Sequence, residues 1–332
     1  MKIQFARYEL KPARSLNRLA PEGAGAVRQG ALIRVEFPGK GEGFADVHPW
    51  PELGDAPLEE QLQALVTGRT TALTRQSMHF ADMDARARSA GRSLFEGLEI
   101  PPSHALVTDP AHFDEDALGV LATAGFDRIK LKAGRDLPSE AKRIRGLADK
   151  MPLGMKLRLD LNAGPGEAAL ESFLNDLGPE ALARVDFIED PMPWSAGAWA
   201  QVRRKHRVRL ALDREIGRAQ SASAAALTFR DAVDVLVVKP AVQRIEIASV
   251  PRVFTSYLDH PLGQVFAAFE AARTARGRNA MVETCGLLSH VAYSPNEYSE
   301  RLRARGPRLL APEGAGAGFG ELLEKEDWKP LR

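Results

Sequence analysis

The chain has 332 residues, 44% hydrophobic and 27% charged, a composition that excludes a disordered, collagen-like or low-complexity protein. Lys and Arg number 45 against 44 Asp and Glu, so no one-sign field marks a general nucleic-acid or membrane-surface binder. At roughly 150 residues per domain, the length allows two domains or one large barrel with an addition.

Taken in chain order, Lys2–Leu10 and Ala31–Phe37 alternate apolar and polar residues, the pattern of half-buried strands. The turn Pro38-Gly39-Lys40-Gly41-Glu42-Gly43 predicts a hairpin over Ala31–Val47. Helical patterns follow at Leu58–Val66 and Ala72–Leu98, completing an α+β unit. Between the first strand and the hairpin runs a long polar connection, Lys11–Gln29, of a length usual only for disordered or functional loops.

From Ser103 the pattern changes to short apolar strands alternating with amphipathic helices. The predicted strands are Ala105–Thr108, Arg128–Lys132, Lys156–Asp160, Val185–Glu189, Leu210–Asp213, Val235–Lys239, Val253–Tyr257 and Ala280–Thr284. The predicted helices are Glu115–Ala124, Glu140–Lys150, Ala168–Leu177, Ala198–His206, Ala219–Arg230 and Gln264–Arg276. Strict alternation of this kind predicts a parallel barrel rather than an open sheet. The domains expected are 1–102, an α+β cap, 103–304, the barrel, and 305–332, a tail returning to the cap. A repeat, Pro21–Ala26 and Pro312–Ala317, reads PEGAGA twice and is expected to form flexible loops.

Cys285 is the only cysteine, which excludes an intrachain disulfide and any cysteine-rich zinc site. The first residues carry no apolar signal-peptide core, and no stretch approaches the roughly 20 apolar residues of a membrane span. A cytoplasmic protein is expected, with no membrane or nucleic-acid partner and an undefined oligomeric state.

Ionisable residues end five of the predicted barrel strands: Lys132, Asp160, Glu189, Asp213 and Lys239, at spacings of 28, 29, 24 and 26 residues. Each step is about one β/α unit, so the five return to the C-terminal face, where barrel active sites are built. Lys130 and Lys132 share one strand face, as do Arg158, Asp160 and Asn162, while Leu131, Leu159 and Leu161 face the helices. Singly, each feature has an ordinary reading: a solvated Lys-x-Lys strand, an acidic turn at Glu189-Asp190-Pro191, a helix cap at Asp213. Together they predict a site. Three converging carboxylates, Asp160, Glu189 and Asp213, call for a cation. Oxygen-only donors favour Mg²⁺, with Mn²⁺ open because three protein carboxylates exceed the usual Mg²⁺ complement. A metal neighbour and the Lys130–Lys132 pairing are both expected to lower lysine pKa values toward the range of a general base.

These residues resemble the enolase superfamily in its muconate-lactonising branch. The resemblance rests on Lys130-Leu131-Lys132, Arg158-Leu159-Asp160-Leu161-Asn162, Ile188-Glu189-Asp190-Pro191, Ala211-Leu212-Asp213 and Val237-Val238-Lys239-Pro240. It implies a modified (β/α)₇β barrel of the TIM type, capped by an α+β domain whose loops Lys11–Gln29 and His48–Asp55 close over a small-molecule carboxylate. Within the branch, Arg158 and the segments Phe254–Gly263 and Cys285–Ser289 are similar to the o-succinylbenzoate synthase family. That likeness implies a Mg²⁺-assisted dehydration with Lys132 as base and acid and Lys239 opposite. It also implies substrate contacts from Lys130, Arg158, Asn162, Ser256 and Gly286. The sequence departs from the pattern at Asp259-His260, Arg214 and Leu161. An N-acyl amino acid racemase or dipeptide epimerase of the same branch and a non-catalytic binding member remain alternatives; the epimerases' Asp-x-Asp is missing from Glu283–Ser289.

Overall fold

A computed structural model describes residues 1–13, 16, 26–108, 110, 113–217, 226–244, 250–278 and 280–332. Strands β1 (Lys2–Leu10), β2 (Arg28–Phe37) and β3 (Gly41–Val47) form an antiparallel sheet, and Gly39 and Gly41 take positive φ in the tight turn between the last two. Helices α1 (Leu58–Thr67) and α2 (Ala72–Ser89) cover one face. A reciprocal capping box starts α2: Thr71 Oγ1 accepts from the Thr74 amide, and Thr74 Oγ1 accepts from the Thr71 amide. The helix ends at Ser89, nine residues earlier than the periodicity predicts, because Gly91 turns the chain at φ +62°.

The chain segment that follows α2 is held by the second copy of the repeat. Leu94 donates its amide to the Gly316 carbonyl and Gly316 donates to Arg92. The Ala317 amide, buried, donates to Asp84 of α2 at 2.7 Å. This copy is therefore a docked connection and not the flexible loop expected; the close approach at Gly316, with φ +62°, needs a residue without a side chain. Residues 21–25 of the first copy lie outside the described residues, as does most of the Lys11–Gln29 connection.

The second unit is a curled parallel sheet. Strands β4 (Ala105–Val107), β5 (Arg128–Lys132), β6 (Lys156–Asp160), β7 (Val185–Glu189), β8 (Leu210–Leu212), β9 (Val235–Val238) and β10 (Arg252–Phe254) lie side by side in chain order. Helices Glu115–Thr123, Leu137–Lys150, Glu167–Leu182, Ala196–His206, Ala226–Ala232 and Pro261–Ala275 fall between or after them. The predicted helix Ala219–Arg230 begins within residues that lie outside the described set. Residues Ala280–Thr284 do not form the predicted eighth strand. Instead Val282 bridges Arg252, Gly286 bridges Thr255 and Cys285 bridges Ser103, single contacts that reach from β10 back to the start of the first strand. The ladder is broken because successive residues bond to opposite neighbours, but the ring closes. At the end of the chain, after the small hairpin of β11 (Ala304–Arg305) and β12 (Arg308–Leu309), β13 (Lys329–Pro330) returns to pair with β1. The architecture is a modified (β/α)₇β barrel with an α+β cap.

Strand alternation sorts the barrel residues. Ile129, Leu131, Leu157, Leu159, Ile188, Leu210, Leu212, Leu236 and Val238 join the main core between sheet and helices. Phe187, Ala211, Val235, Val237 and Val253 form a separate cluster inside the barrel. That apolar plug is the floor on which the charged residues stand.

Candidate active site

Register builds the site. Lys132 pairs with Asp160, and Asp160 with Glu189, across β5, β6 and β7, so the three side chains form one row. Asp213 and Lys239 follow β8 and β9 directly. A cavity of about 310 Å³ opens above, walled by Lys130, Lys132, Asn162, Glu189, Asp213 and Lys239 on one side. The other side carries Thr255, Ser256, Gly286 and Ser289 after β10, and Trp50, Leu53 and Asp55 come from the cap. Trp50 is fixed there by an indole N–H donated to the Tyr257 carbonyl at 2.7 Å and by Arg28 stacked 4.2 Å from its ring.

Each carboxylate in the row is held by a lysine. Lys130 Nζ donates to both Glu189 oxygens at 2.7 and 2.6 Å and lies 3.0 Å from Asp160. Lys132 donates to Asp160 at 2.8 Å, and Lys239 donates to Asp213. Burial would raise the Asp160 carboxyl, but Lys130 and Lys132 beside it hold it below the usual carboxylate range. Burial, and then the Asp160 charge, push Glu189 up to about 7. Lys130 goes up, not down as the pairing with Lys132 implied: burial lowers it, but Asp160, Glu189 and Asp213 together outweigh that.

Among the described residues no three His, Cys, Asp or Glu side chains are drawn into a metal cage, because the lysine ammonium groups stand between the acids. The donor set nonetheless fits a hard divalent cation. It is oxygen-only, it burdens buried Glu189 with neighbouring negative charge, and it leaves Asp213 Oδ1 buried without a hydrogen-bond partner.

The remaining predicted residues divide. Asn162 lines the cavity at φ +50°, with its amide on Asp160 Oδ1. The Ser256 hydroxyl shares a hydrogen bond with Ser289, which in turn donates to Gln264 at 3.0 Å. Gly286 lets the wall close in: a Cβ there would stand 2.8 Å from both His104 and Thr255. Arg158 does not line the cavity. Its guanidinium, 1% exposed, lies over Phe187 and donates to Asp186 at 2.8 Å and to the Thr284 carbonyl at 2.6 Å. Asp186, three residues before Glu189 on β7, captures it below the floor, so Arg158 stands behind the cavity wall rather than in it.

Several site residues carry no sequence signal. Gln243 accepts from the Lys239 amide at 2.8 Å and donates to the Asp213 carbonyl at 3.2 Å, tying two strand ends together. Asp190, at φ +42°, accepts the Asp213 and Arg214 amides at 3.0 and 3.1 Å. Only its place after Glu189 hints at anything beyond a turn. His104 lines the cavity from the start of the first barrel strand.

A lysine–carboxylate row at the C-terminal mouth of a capped β/α barrel defines an enzyme of the enolase superfamily. Comparison with known proteins agrees: residues 3–87 match the family described as "O-succinylbenzoate synthase, N-terminal domain" and residues 112–245 "Enolase C-terminal domain-like". An o-succinylbenzoate synthase from Bdellovibrio bacteriovorus is 34% identical over 339 residues, covering 100% of this chain and 99% of that protein. Among solved structures, a 2-chloromuconate cycloisomerase from Rhodococcus opacus superposes with a TM-score of 0.78 at 17% identity, covering 98% of each chain. An N-succinyl Arg/Lys racemase from Bacillus cereus does so with a TM-score of 0.77 at 16% identity, covering 100% of each. The chain belongs to the o-succinylbenzoate synthase family, in the muconate-lactonising branch of the enolase superfamily. It is an enzyme, a carbon–oxygen lyase of the dehydratase class. Among the described residues no helix is long and apolar enough to cross a membrane.

Proposed function

We propose that the protein is an o-succinylbenzoate synthase of menaquinone biosynthesis, dehydrating a 2-succinyl-6-hydroxycyclohexadiene-1-carboxylate to o-succinylbenzoate. The observation that carries this reading is full-length 34% identity to such a synthase combined with Lys132, Glu189, Asp213 and Lys239 lining one cavity. Asp160, Glu189 and Asp213 would hold Mg²⁺, or Mn²⁺, whose chemistry is Lewis-acid stabilisation of charge developing on the substrate carboxylate.

Lys132 takes the proton from the carbon next to that carboxylate at Nζ. The C–O bond to the β-hydroxyl then breaks on the same side, and Lys132 returns the proton so that water leaves and the ring becomes aromatic. Lys239, which follows β9 four strands along the sheet from Lys132 on β5, supplies a fixed positive charge to the intermediate. Lys130 keeps the acid row compensated from below, and Ser256, Gly286 and Asn162 shape the space around the substrate. The protein works in the cytoplasm on a small-molecule carboxylate.

A second reading, an N-acyl amino acid racemase or dipeptide epimerase, draws on one observation: Lys132 and Lys239 flank the cavity from different strands, as a two-base reaction requires. The test is kcat/KM for the cyclohexadiene precursor against a panel of N-acyl amino acids and dipeptides. The synthase reading expects the precursor to win. An N-acyl amino acid turned over about 100-fold better, roughly 2.7 kcal/mol in transition-state binding, would sink it in favour of racemisation.

A further inference from the structure

The floor of the cavity holds a histidine whose proton position is dictated from below. His104 is 4% exposed and lines the cavity together with Lys130, Lys132 and Gly286. Its own amide is pinned to the Cys285 carbonyl at 2.7 Å. Its Nδ1 lies 3.1 Å from Arg158 Nη1. A guanidinium can only donate, so Nδ1 must carry the lone pair and the proton must sit on Nε2. Burial first, then the charges of Arg158 and Lys130, keep the ring neutral.

Arg158 is itself immobile: Asp186 takes its Nε, the Thr284 carbonyl takes Nη1 and Phe187 backs its plane. The chain Asp186–Arg158–His104 therefore fixes one tautomer and one ring orientation. On the other edge, Nε2 has no protein partner among the described residues and lies against Gly286, where any Cβ would approach it to 2.8 Å. A glycine at that point leaves the ring edge uncovered beside the cavity.

We propose that His104 is a substrate-binding residue whose Nε2–H donates to a carbonyl or carboxylate oxygen on the substrate's acyl arm, with Arg158 as the positioning residue behind it. The lysine row serves the carboxylate next to the reacting carbon; a neutral, pre-oriented donor beside Gly286 suits an oxygen that does not change charge in the reaction. This assignment rests on the proposed reading of the site as one for an acyl-bearing carboxylate. It also gives Arg158 a role that direct contact could not.

The test pairs kinetics with tautomer measurement on the intact enzyme. His104→Phe should lower kcat/KM about tenfold, chiefly through KM, and His104→Gln, which keeps a donor, should recover most of the loss. Long-range ¹⁵N–¹H NMR of the resting enzyme should show the His104 proton on Nε2, and Arg158→Met should release that preference. Because the NMR readout needs no turnover and uses wild-type protein, it can overturn the proposal even where His104→Phe does not fold, and His104→Gln then carries the kinetic arm. A proton on Nδ1, or a His104→Phe enzyme within twofold of wild type, overturns the proposal. Should an N-acyl amino acid replace the cyclohexadiene as best substrate, the synthase reading fails separately, and the same His104 variants assayed on that substrate decide whether His104 binds its acyl arm.

Discussion

The barrel mouth and the seam between cap and barrel both bury carboxylates, and they manage the charge in opposite ways. In the mouth, Asp160 and Glu189 lie within hydrogen-bond reach of Lys130, and Asp160 also of Lys132. In the seam, Asp46 of β3 and Asp259 make no ion pair with Lys or Arg among the described residues; they face Tyr8, His48 and His260. The Tyr8 hydroxyl donates to Asp46 at 2.6 Å and the His260 amide donates to it at 3.1 Å. Burial pushes Asp46 up to about 7, and burial together with the Asp46 charge raises Asp259 well above the carboxylate range. Burial drives His48 and His260 down to about 3. The seam buries its acids with no cation paired to them among the described residues, whereas the mouth sets a lysine against each acid. A fold with no need for the mouth's charges could have buried hydrogen-bonded neutral groups there too; charge retained at such a desolvation cost marks the region where chemistry is done.

The comparison can be broken first at the mouth. Glu189→Gln removes one negative charge from the row while preserving shape. Metal-dependent turnover should fall by about 10³-fold or more, and calorimetric Mg²⁺ binding should weaken with it, while the circular dichroism of the fold stays unchanged. Full activity of the wild-type enzyme after exhaustive chelation would also defeat the metal assignment.

The seam should respond in stability rather than rate. Asp46 binds its proton more tightly folded than unfolded, so it favours folding at low pH, and that contribution is lost as pH rises from about 4 through about 7. The share at stake is on the order of a few kcal/mol. Asp46→Asn should flatten the decline in Tm over that window and be more stable than wild type at pH 8; an unaltered slope would show that Asp46 is not the group responsible. The smallest effect expected is Tyr8→Phe, which takes the hydroxyl from Asp46 and should cost about 1–2 kcal/mol, most visibly at pH 8 where Asp46 is ionised. Denaturant unfolding at pH 5 and pH 8 measures the difference.

Much of this contrast is legible in the sequence on one side and almost none on the other. The limits of β1, β5, β6 and β7 follow directly from alternation and apolar runs, and the charged strand ends are local to those runs. The seam is different, because Asp46 and Asp259 come from segments more than 200 residues apart and only the folded cap brings them together. The same holds for Arg158. Its spacing from Asp160 reads as a site residue, but Asp186 on the adjacent strand β7 and His104, just before β4, decide where the guanidinium goes. Ala280–Thr284 reads as a strand because its composition suits one, but the bridges at Val282, Cys285 and Gly286 go to two different neighbours.

The central claim is that Lys132 and Lys239 act on one carboxylate substrate between them. The most direct measurement is the initial rate of aromatic product from the cyclohexadiene precursor, followed for wild type, Lys132→Ala and Lys239→Ala with Mg²⁺ present. Wild type should convert the precursor. Lys132→Ala should be slower by about 10⁴-fold and lose exchange of the substrate α-hydrogen with solvent, and Lys239→Ala should be slower by about 10²-fold. A Lys132→Ala enzyme within tenfold of wild type, or a Lys239→Ala enzyme indistinguishable from it, would contradict the account.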